Sequence, residues 1–375
     1  MKDDRIISPY QGLEPRAFWR SGLVEAGQFP PLDLYRPKFV VTRDQPVMTA
    51  GSCFAQHVGK ALRGAGFNVI DAEPAPGTVS DALAQQYGYG LYSARYGNIY
   101  TVRQLLQLLL ECAGQYQPAD AVWEKDGRFF DAMRPGVEPT GHDSAHQVRE
   151  ARTAHLTAVA KALSEAQVLI FTLGLTEAWE HGPTGTIYPT APGTIAGRMT
   201  PDFAYRNFRH AEIRDDFDSV RRLLHAINPA MRFVLTVSPV PLTATASGDH
   251  VLSATTYSKS VLRGVAGELA QDYADVDYFP SYEIVTAPIS RGAMYEPNMR
   301  SVRSDGVAKV MQTFLHAMGA APPPAPTKTV QQLRAERRAR RQNPLPDVGP
   351  ANETESETEN DVICEEALLA AFEKK

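Results

Sequence analysis

Residues 46 to 62 read Pro46-Val47-Met48-Thr49-Ala50-Gly51-Ser52-Cys53-Phe54-Ala55-Gln56-His57-Val58-Gly59-Lys60-Ala61-Leu62. The residues before Gly51 form a short apolar run of strand length, and apolar residues after Ser52 recur at helical spacing. Ser52 therefore lies at a strand-to-helix turn, beside first-turn amides that have no partner within the helix. Such amides can stabilise an oxyanion. A serine before a helix more commonly serves as an N-cap, and the local pattern alone favours that simpler role.

The alternation of strand and helix continues along the chain. Apolar runs predict further strands at residues 67–71, 168–173, 233–237 and 276–279, and a helix is expected from residue 147 to 166. This order predicts an α/β fold with a doubly wound parallel sheet. Two short apolar runs joined through Asp126-Gly127 predict a hairpin inserted into that fold. Thr101 is expected to cap a leucine-rich helix.

Polar motifs follow the predicted strands at residues 51–55, 174–179, 238–241 and 280–283. Loop residues are generally polar, so one such motif would carry little weight. In open parallel sheets, however, ligands bind outside the carboxyl ends of the strands. Because four separate strand ends carry a motif, the sequence predicts a ligand site along this edge.

The composition narrows the classes of function. The chain has 375 residues, of which 43% are hydrophobic, and a net charge of −5, so we expect a sizeable core and no nucleic-acid partner. Three scattered cysteines form no C-x-x-C pair, which argues against disulfides and a zinc site. No metal or other cofactor is expected. No apolar run approaches the roughly 18 residues of a membrane span, so we expect a cytoplasmic protein.

Composition also predicts the domain boundaries. We expect an irregular N-terminal lead-in over residues 1–36, one α/β domain over residues 37–318, and a disordered linker over residues 319–361. That linker is Pro-rich, then basic, then acidic. Residues 362–375 carry apolar side chains that favour a short helix against a protein partner, or a frayed end.

The stretch Gly51-Ser52-Cys53-Phe54-Ala55 resembles the signature of the GSCFA family, a branch similar to SGNH or GDSL-like hydrolases. The resemblance extends over residues 35 to 318 and includes residues 97–101, 173–179, 238–241, 257–259 and 278–283. It implies a flavodoxin-like sheet and serine-dependent ester hydrolysis or O-acyl transfer by Ser52. The implied substrate is an acylated carbohydrate or small ester, such as an O-acetylated bacterial polysaccharide precursor.

The resemblance also implies three oxyanion donors, which are the amide of Cys53, the side chain of Asn98 and the amide of Gly174. Asn98 follows Gly97 and has an equally good role as a turn former. In similar hydrolases an Asp-x-x-His pair near the end of the fold supplies the base. Asn298 and Ser301 stand at the corresponding positions here. Three alternatives follow: another histidine, a different base, or a protein that binds esters and sugars without cleaving them.

His57 is bounded by sequence to within about 8 Å of Ser52 along a helix axis, although positions i and i+5 do not share a face. Glu177, in an expected motif loop beside Trp179, offers a second route, since burial would raise its pKa toward that of a base. Its simpler role is to orient substrate. The other histidines in expected loops remain open alternatives, namely His142, His146, His181 and His210, and the helical ones are expected to be structural: His155, His225 and His316.

Further residues in these motifs are candidates for contacting substrate. Trp179 suits stacking on a sugar ring, although a tryptophan is more often simply packed. The Cys53 thiol ranks below Ser52 as nucleophile, because a small buried hydrophobe is the default role of cysteine. The complete set of expected substrate contacts is Thr176, Trp179, Tyr257, Lys259, Asn298, Arg300 and Ser301.

Overall fold

The computed structural model describes residues 8–320 and 365–373 of the chain. Most of the segment expected to be a disordered linker lies outside the described residues. The elements follow in this order: β1 (Val47–Gly51), α1 (Phe54–Gly64), α2 (Asp81–Gln86), α3 (Val102–Cys112), β2 (Val122–Lys125), β3 (Arg128–Asp131), α4 (Ala145–Glu165), β4 (Val168–Leu173), β5 (Glu177–His181), β6 (Thr186–Tyr188), β7 (Phe203–Asn207), α5 (His210–Ile227), β8 (Arg232–Val237), α6 (Val251–Asp272), β9 (Val276–Tyr278), α7 (Ser281–Thr286) and α8 (Ser304–Ala317). Short helical turns lie at Pro15–Ala17, Arg20–Val24 and Pro288–Ser290, and a 3₁₀ helix spans Glu365–Phe372.

A four-stranded parallel sheet in the order β1-β4-β8-β9 forms the centre of the molecule. Gly51 pairs with Thr172, and Thr172 pairs with Thr236, so the strands end at one common edge. The predicted strand at residues 67–71 is reduced to a single parallel bridge between Val69 and Val47. That bridge lies on the outer side of β1, as the first βαβ unit requires.

Side chains of the strands alternate between two hydrophobic cores. Phe171 and Leu173 pack on one face with helices α3 to α6, whereas Val168 and Ile170 pack on the other face with α1, α7 and α8. This alternation is the two-residue period of a strand that is covered on both sides. The predicted α/β class, with a doubly wound parallel sheet, is therefore confirmed.

Two local predictions hold in detail. Thr101 caps α3 in a capping box. Its hydroxyl accepts from the backbone amide of Gln104, and the Gln104 side-chain oxygen accepts from the backbone amide of Thr101. Strands β2 and β3 form the expected hairpin. Asp126 and Gly127 both have positive φ, 52° and 74°, as a type I′ turn requires.

A second, antiparallel sheet in the order β6-β5-β7 follows β4. Strand β5 begins at Glu177, which we expected in a loop, so that expectation is wrong. The physical reason is that β5 pairs on both sides, with Tyr188 and Tyr205 each opposite Trp179. Two pairing partners hold the segment after β4 extended instead of letting it turn.

A buried ion-pair network joins the β2–β3 hairpin to α4. The carboxylate of Asp131 accepts from Arg134 Nε at 2.7 Å and from Arg152 Nη1 at 3.5 Å. Arg152 Nε also donates to Glu111 of α3 at 2.9 Å. Arg134 donates to the carbonyl of Arg95 at 3.0 Å, which fixes the loop that follows the hairpin.

Among the described residues, every helix is too short or too polar to span a membrane.

Candidate functional site

Ser52 lies where β1 ends and α1 begins, at the carboxyl edge of the sheet. Gly51 precedes it with φ of 136°, and a Cβ there would collide with the carbonyl oxygen of Thr172. The Ser52 amide donates to that same carbonyl at 3.1 Å. Only glycine permits this approach of β1 to β4. The hydroxyl of Ser52, whose residue is 2% exposed, has no hydrogen-bond partner among the described residues.

The segment that carries Asn98 crosses directly over this turn. The amide of Ile99 donates to the carbonyl of Gly51 at 2.9 Å. The Asn98 Oδ1 atom accepts from the Tyr92 hydroxyl and, at 3.4 Å, from Gln56 Nε2. The Tyr92 hydroxyl also donates to the carbonyl of Ser52 at 3.3 Å. Because Oδ1 accepts from these two donors, the orientation of the Asn98 carboxamide is fixed, and its Nδ2 atom points away from Tyr92 and Gln56.

Sequence reasoning missed Gln56 and Tyr92 as orienting residues. Gln56 is buried in the first turn of α1, four residues after Ser52, so its closeness to the serine in sequence was available as a signal. Tyr92 lies in a Tyr- and Gly-rich tract without regular structure, which offered no comparable signal.

Gly174 closes the other side of Ser52. A Cβ at Gly174 would lie 2.9 Å from Ser52 Cβ and 3.0 Å from the Tyr100 carbonyl oxygen. The Gly174 amide, expected to donate to an oxyanion, instead donates to Tyr100 at 3.1 Å. The absence of a side chain at Gly174 therefore provides space beside the serine, while its amide holds the 98–100 segment in place.

Helix α6 contributes two side chains that hold the segment from Gly174 to Thr176 in place. Lys259, 1% exposed, donates from Nζ to the Gly174 carbonyl at 2.7 Å. The neighbouring Ser258 hydroxyl accepts from the Thr176 amide at 3.0 Å. These two bonds fix the β4–β5 connection. Tyr257, one residue earlier, faces solvent and is half-exposed.

Glu177 and Trp179 line a cavity next to Gly174 with a volume of about 170 Å³. The Glu177 carboxylate accepts from Thr245 Oγ1 at 2.8 Å. Burial and this carboxylate raise the pKa of Tyr205 to about 12, so its hydroxyl stays protonated at neutral pH. The remaining walls are mainly apolar, as expected for a small-molecule site.

The remaining candidates, His57 and the segment around Asn298, make local contacts. The ring of His57 packs edge-on against Phe54 at 5.6 Å and is half-buried. Asn298 forms a local turn, in which Oδ1 accepts from the amides of Arg300 and Ser301 and Nδ2 donates to Ser301 Oγ at 3.0 Å. This turn belongs to a loop that reaches the sheet edge through Tyr295, whose hydroxyl donates to the Pro239 carbonyl at 2.7 Å.

The 3₁₀ helix Glu365–Phe372 reaches into the site from the far end of the chain. The Glu365 carboxylate accepts from Asn98 Nδ2 and from the Tyr100 hydroxyl, the latter at 3.1 Å. Burial raises the pKa of Glu365, while these donors act to lower it. Leu369 lines the same cavity as Trp179. Nothing in the sequence pairs Glu365 with Asn98, which lies 267 positions earlier.

A comparison with sequence models of protein families decides the relationship. The model described as the GSCFA family matches residues 46–314. The chain belongs to the GSCFA family. The matched GSCFA region runs from the start of β1 into α8 and includes all nine strands of the described residues, together with Ser52, Asn98 and Gly174. A search of curated proteins found no match to the chain.

The described part of this GSCFA protein contains no group of three or more His, Cys, Asp or Glu side chains suited to a metal ion. The structure brings Ser52, Cys53, Asn98, Gly174 and Lys259 together at the strand ends. Glu177 and Trp179 lie in the adjoining cavity, with the buried Thr176 between them and Gly174.

Proposed function

We propose that this GSCFA protein is a serine-dependent ester hydrolase or O-acyltransferase, with Ser52 as nucleophile. The observation that carries the proposal is the buried Ser52 hydroxyl, which has no hydrogen-bond partner among the described residues. Leaving a buried polar group unpaired costs about 1–3 kcal/mol, so such a group calls for an explanation. A hydroxyl kept for reaction at the carboxyl edge of a parallel sheet supplies one.

In the first step the Ser52 oxygen attacks the ester carbonyl and transfers its proton to a base. The tetrahedral oxyanion is stabilised by the Cys53 amide and by Asn98 Nδ2, which Tyr92 and Gln56 orient. The bond to the alcohol then breaks, and the base returns the proton to the departing oxygen. Attack by water on the acyl-serine gives hydrolysis, and attack by another hydroxyl gives transfer.

His57 and Glu177 are the two candidates for the base. Glu177 lines the cavity next to Gly174, and its carboxylate is held by Thr245. His57 lies on α1 beside the serine turn. Replacing the base, in His57→Gln or Glu177→Gln, is expected to lower kcat by about 10²–10⁴-fold and to remove the matching limb of the pH profile. Replacing the other residue leaves the pH profile intact.

The proposed substrate class rests on the cavity lined by Glu177 and Trp179. The cavity combines aromatic walls with the Glu177 carboxylate and the Thr190 hydroxyl. This combination suits a carbohydrate, whose ring can stack on an aromatic side chain while its hydroxyls form hydrogen bonds with the polar groups. An acetyl or similarly small acyl group on a polysaccharide precursor is the substrate that this proposal names.

The test is covalent labelling by a fluorophosphonate probe, with the adduct located by peptide mass spectrometry. Wild type is expected to carry the adduct on Ser52, and Ser52→Ala is expected to carry none. Ser238→Ala is the matched control, because Ser238 is also buried and also follows a sheet strand. An adduct on another residue, or equal labelling of Ser52→Ala, would refute the nucleophile.

A non-catalytic binding protein is the second candidate function. It is favoured by one observation, that no base contacts the Ser52 hydroxyl among the described residues. This alternative predicts that an acetylated oligosaccharide binds in the cavity while no variant is labelled or hydrolyses p-nitrophenyl acetate.

A further inference from the structure

The groove formed by Asn98 and Tyr100 is built around a carboxylate. Glu365 is 4% exposed, and both of its described side-chain donors come from this groove. A buried carboxylate is costly unless such donors compensate it. The site is therefore adapted to bind a carboxylate group and is not merely covered by one.

Two glycines provide the space for that carboxylate. A Cβ at Gly136 would lie 2.8 Å from Glu365 Oε1, and one at Gly97 would lie 3.5 Å from the same atom. Gly136 does not have the positive φ that would by itself favour glycine. Its missing side chain therefore serves the close approach of Glu365 rather than a backbone turn.

The same helix makes a second contact, with the cavity. Leu369 lines this cavity together with Tyr100, Leu175 and Trp179. Its neighbour Leu368 is 48% exposed, and Phe372 is also exposed. The helix thus has a docked side, which carries Glu365 and Leu369, and a solvent side.

Docking of this helix and binding of an ester compete for the same groups. Asn98 Nδ2 is the side-chain donor assigned to the oxyanion, and it already donates to Glu365. Leu369 takes part of the cavity assigned to the substrate, whose open volume of about 170 Å³ is below the 300–1,000 Å³ of typical ligand sites. The bound helix therefore takes up one of the two Nδ2 hydrogens of Asn98 and narrows the cavity available to a substrate.

We propose that the groove at Asn98 and Tyr100 is a carboxylate-anchored peptide site whose ligand is the chain's own helix Glu365–Phe372, and that this helix blocks Ser52 until it is released. The blocking role rests on the proposed function of Ser52, whereas the docking role does not. The recognised chemistry is an acidic side chain followed four residues later by leucine.

The test uses the full-length chain and two readouts. Hydrogen exchange of residues 365–373 reports docking without reference to activity, and the rate of fluorophosphonate labelling at Ser52 reports access. Glu365→Ala and Leu369→Ala are expected to exchange faster at residues 365–373 and to label at least about tenfold faster than wild type. Leu368→Ala, on the exposed side, is the matched control and is expected to behave as wild type.

Glu365→Gln separates shape from charge, since its amide oxygen still accepts from Asn98 and Tyr100 but carries no charge. It is expected to fall between wild type and Glu365→Ala in both readouts. Melting temperatures of all variants check that the domain stays folded.

Each contrary result has a distinct meaning. Equally fast exchange of residues 365–373 in wild type and in both variants would overturn docking. Release of the helix with an unchanged labelling rate at Ser52 would overturn blocking. Release with no label on Ser52 in any chain would refute the proposed enzyme, and with it the blocking role, while the exchange data would still establish docking.

Discussion

The Ser52 edge and the ion-pair network around Asp131 are both buried, yet they are satisfied to different degrees. In the network, Asp131, Arg134, Arg152 and Glu111 all have charged partners within hydrogen-bond distance. At the edge, the Ser52 hydroxyl has no partner among the described residues. The contrast separates groups that stabilise the fold from groups that are held ready for a ligand.

The two regions are nevertheless mechanically connected. Arg134 bonds Asp131 and the carbonyl of Arg95, and so fixes the loop that contains Gly136. Gly136 in turn lies against Glu365 in the groove. The network therefore holds a wall of the site in place without taking part in its chemistry.

The largest expected effect comes from breaking the network. Asp131→Ala leaves Arg134 and Arg152 buried without their shared carboxylate, which is expected to cost about 3–5 kcal/mol of unfolding free energy. Urea denaturation measures it. The matched control is Asp143→Ala, which removes the exposed partner of Arg128 and should cost less than about 1 kcal/mol. Equal losses in the two variants would contradict the stabilising role of the network.

Replacing Asn98 is expected to affect activity at the Ser52 edge, whereas replacing Asp131 affects stability. Asn98→Ala removes the proposed oxyanion donor and is expected to raise the activation barrier by about 2.7–4 kcal/mol, that is, 10²–10³ in kcat. The measurement is p-nitrophenyl acetate turnover in a Glu365→Ala background, where the helix is expected to be released. A variant that keeps full turnover in that background would remove Asn98 from the mechanism.

Gly174→Ala tests whether the space beside Ser52 is required. The added methyl would meet Ser52 Cβ at 2.9 Å and the Tyr100 carbonyl at 3.0 Å, both of which are too close. Overpacking of this kind is expected to cost about 1–3 kcal/mol in urea denaturation and to lower Ser52 labelling. Gly64→Ala, at the end of α1 with open space around it, should be neutral or slightly stabilising. Similar losses in both variants would show that the space beside Ser52 is not specifically required.

The smallest effect concerns pH. His155 donates from Nδ1 to Glu73 at 2.7 Å, and burial lowers the pKa of His155 from 6.5 to about 4. The native state thus binds this proton less readily than the unfolded chain. The contribution of neutral His155 to the unfolding free energy is complete above pH 6.5. It is lost as pH falls toward 4, because the histidine is protonated in the unfolded chain before it is protonated in the native state.

Between pH 6.5 and 5.5 this histidine is expected to remove about 1 kcal/mol of stability. Glu73 and Asp131 stay ionised in that interval, since both of their pKa values are lowered. His155→Gln should flatten the pH dependence of the urea midpoint, whereas the exposed His146→Gln should not. A wild-type midpoint that is constant over the interval would refute the assignment.

Local signals predicted much of this structure. The apolar run before Ser52, the Asp126-Gly127 turn and the Thr101 cap each concern residues close in sequence, and each forms as expected. The strand β5 was missed because its two partners, β6 and β7, carry the information that makes it extended.

The site was less predictable than the fold. Ser52 and Gly174 were expected at one edge because each follows a predicted strand, whereas Asn98 was named only from the family resemblance. The docking of Glu365 against Asn98 did not, because it depends on a cradle of glycines and donors from separate segments. A contact over such a sequence separation leaves no periodic signal.

The central claim is that the buried Ser52 hydroxyl is kept for reaction and not for stability. The direct measurement compares Ser52→Ala with its parent, in the wild-type and Glu365→Ala chains, by urea denaturation and p-nitrophenyl acetate turnover. We expect an unfolding free energy equal to that of the parent or up to about 3 kcal/mol higher, since no hydrogen bond is lost and an unpaired hydroxyl is removed. Turnover is expected to fall to background. A loss of stability above about 2 kcal/mol, or turnover equal to that of the parent, would contradict the claim.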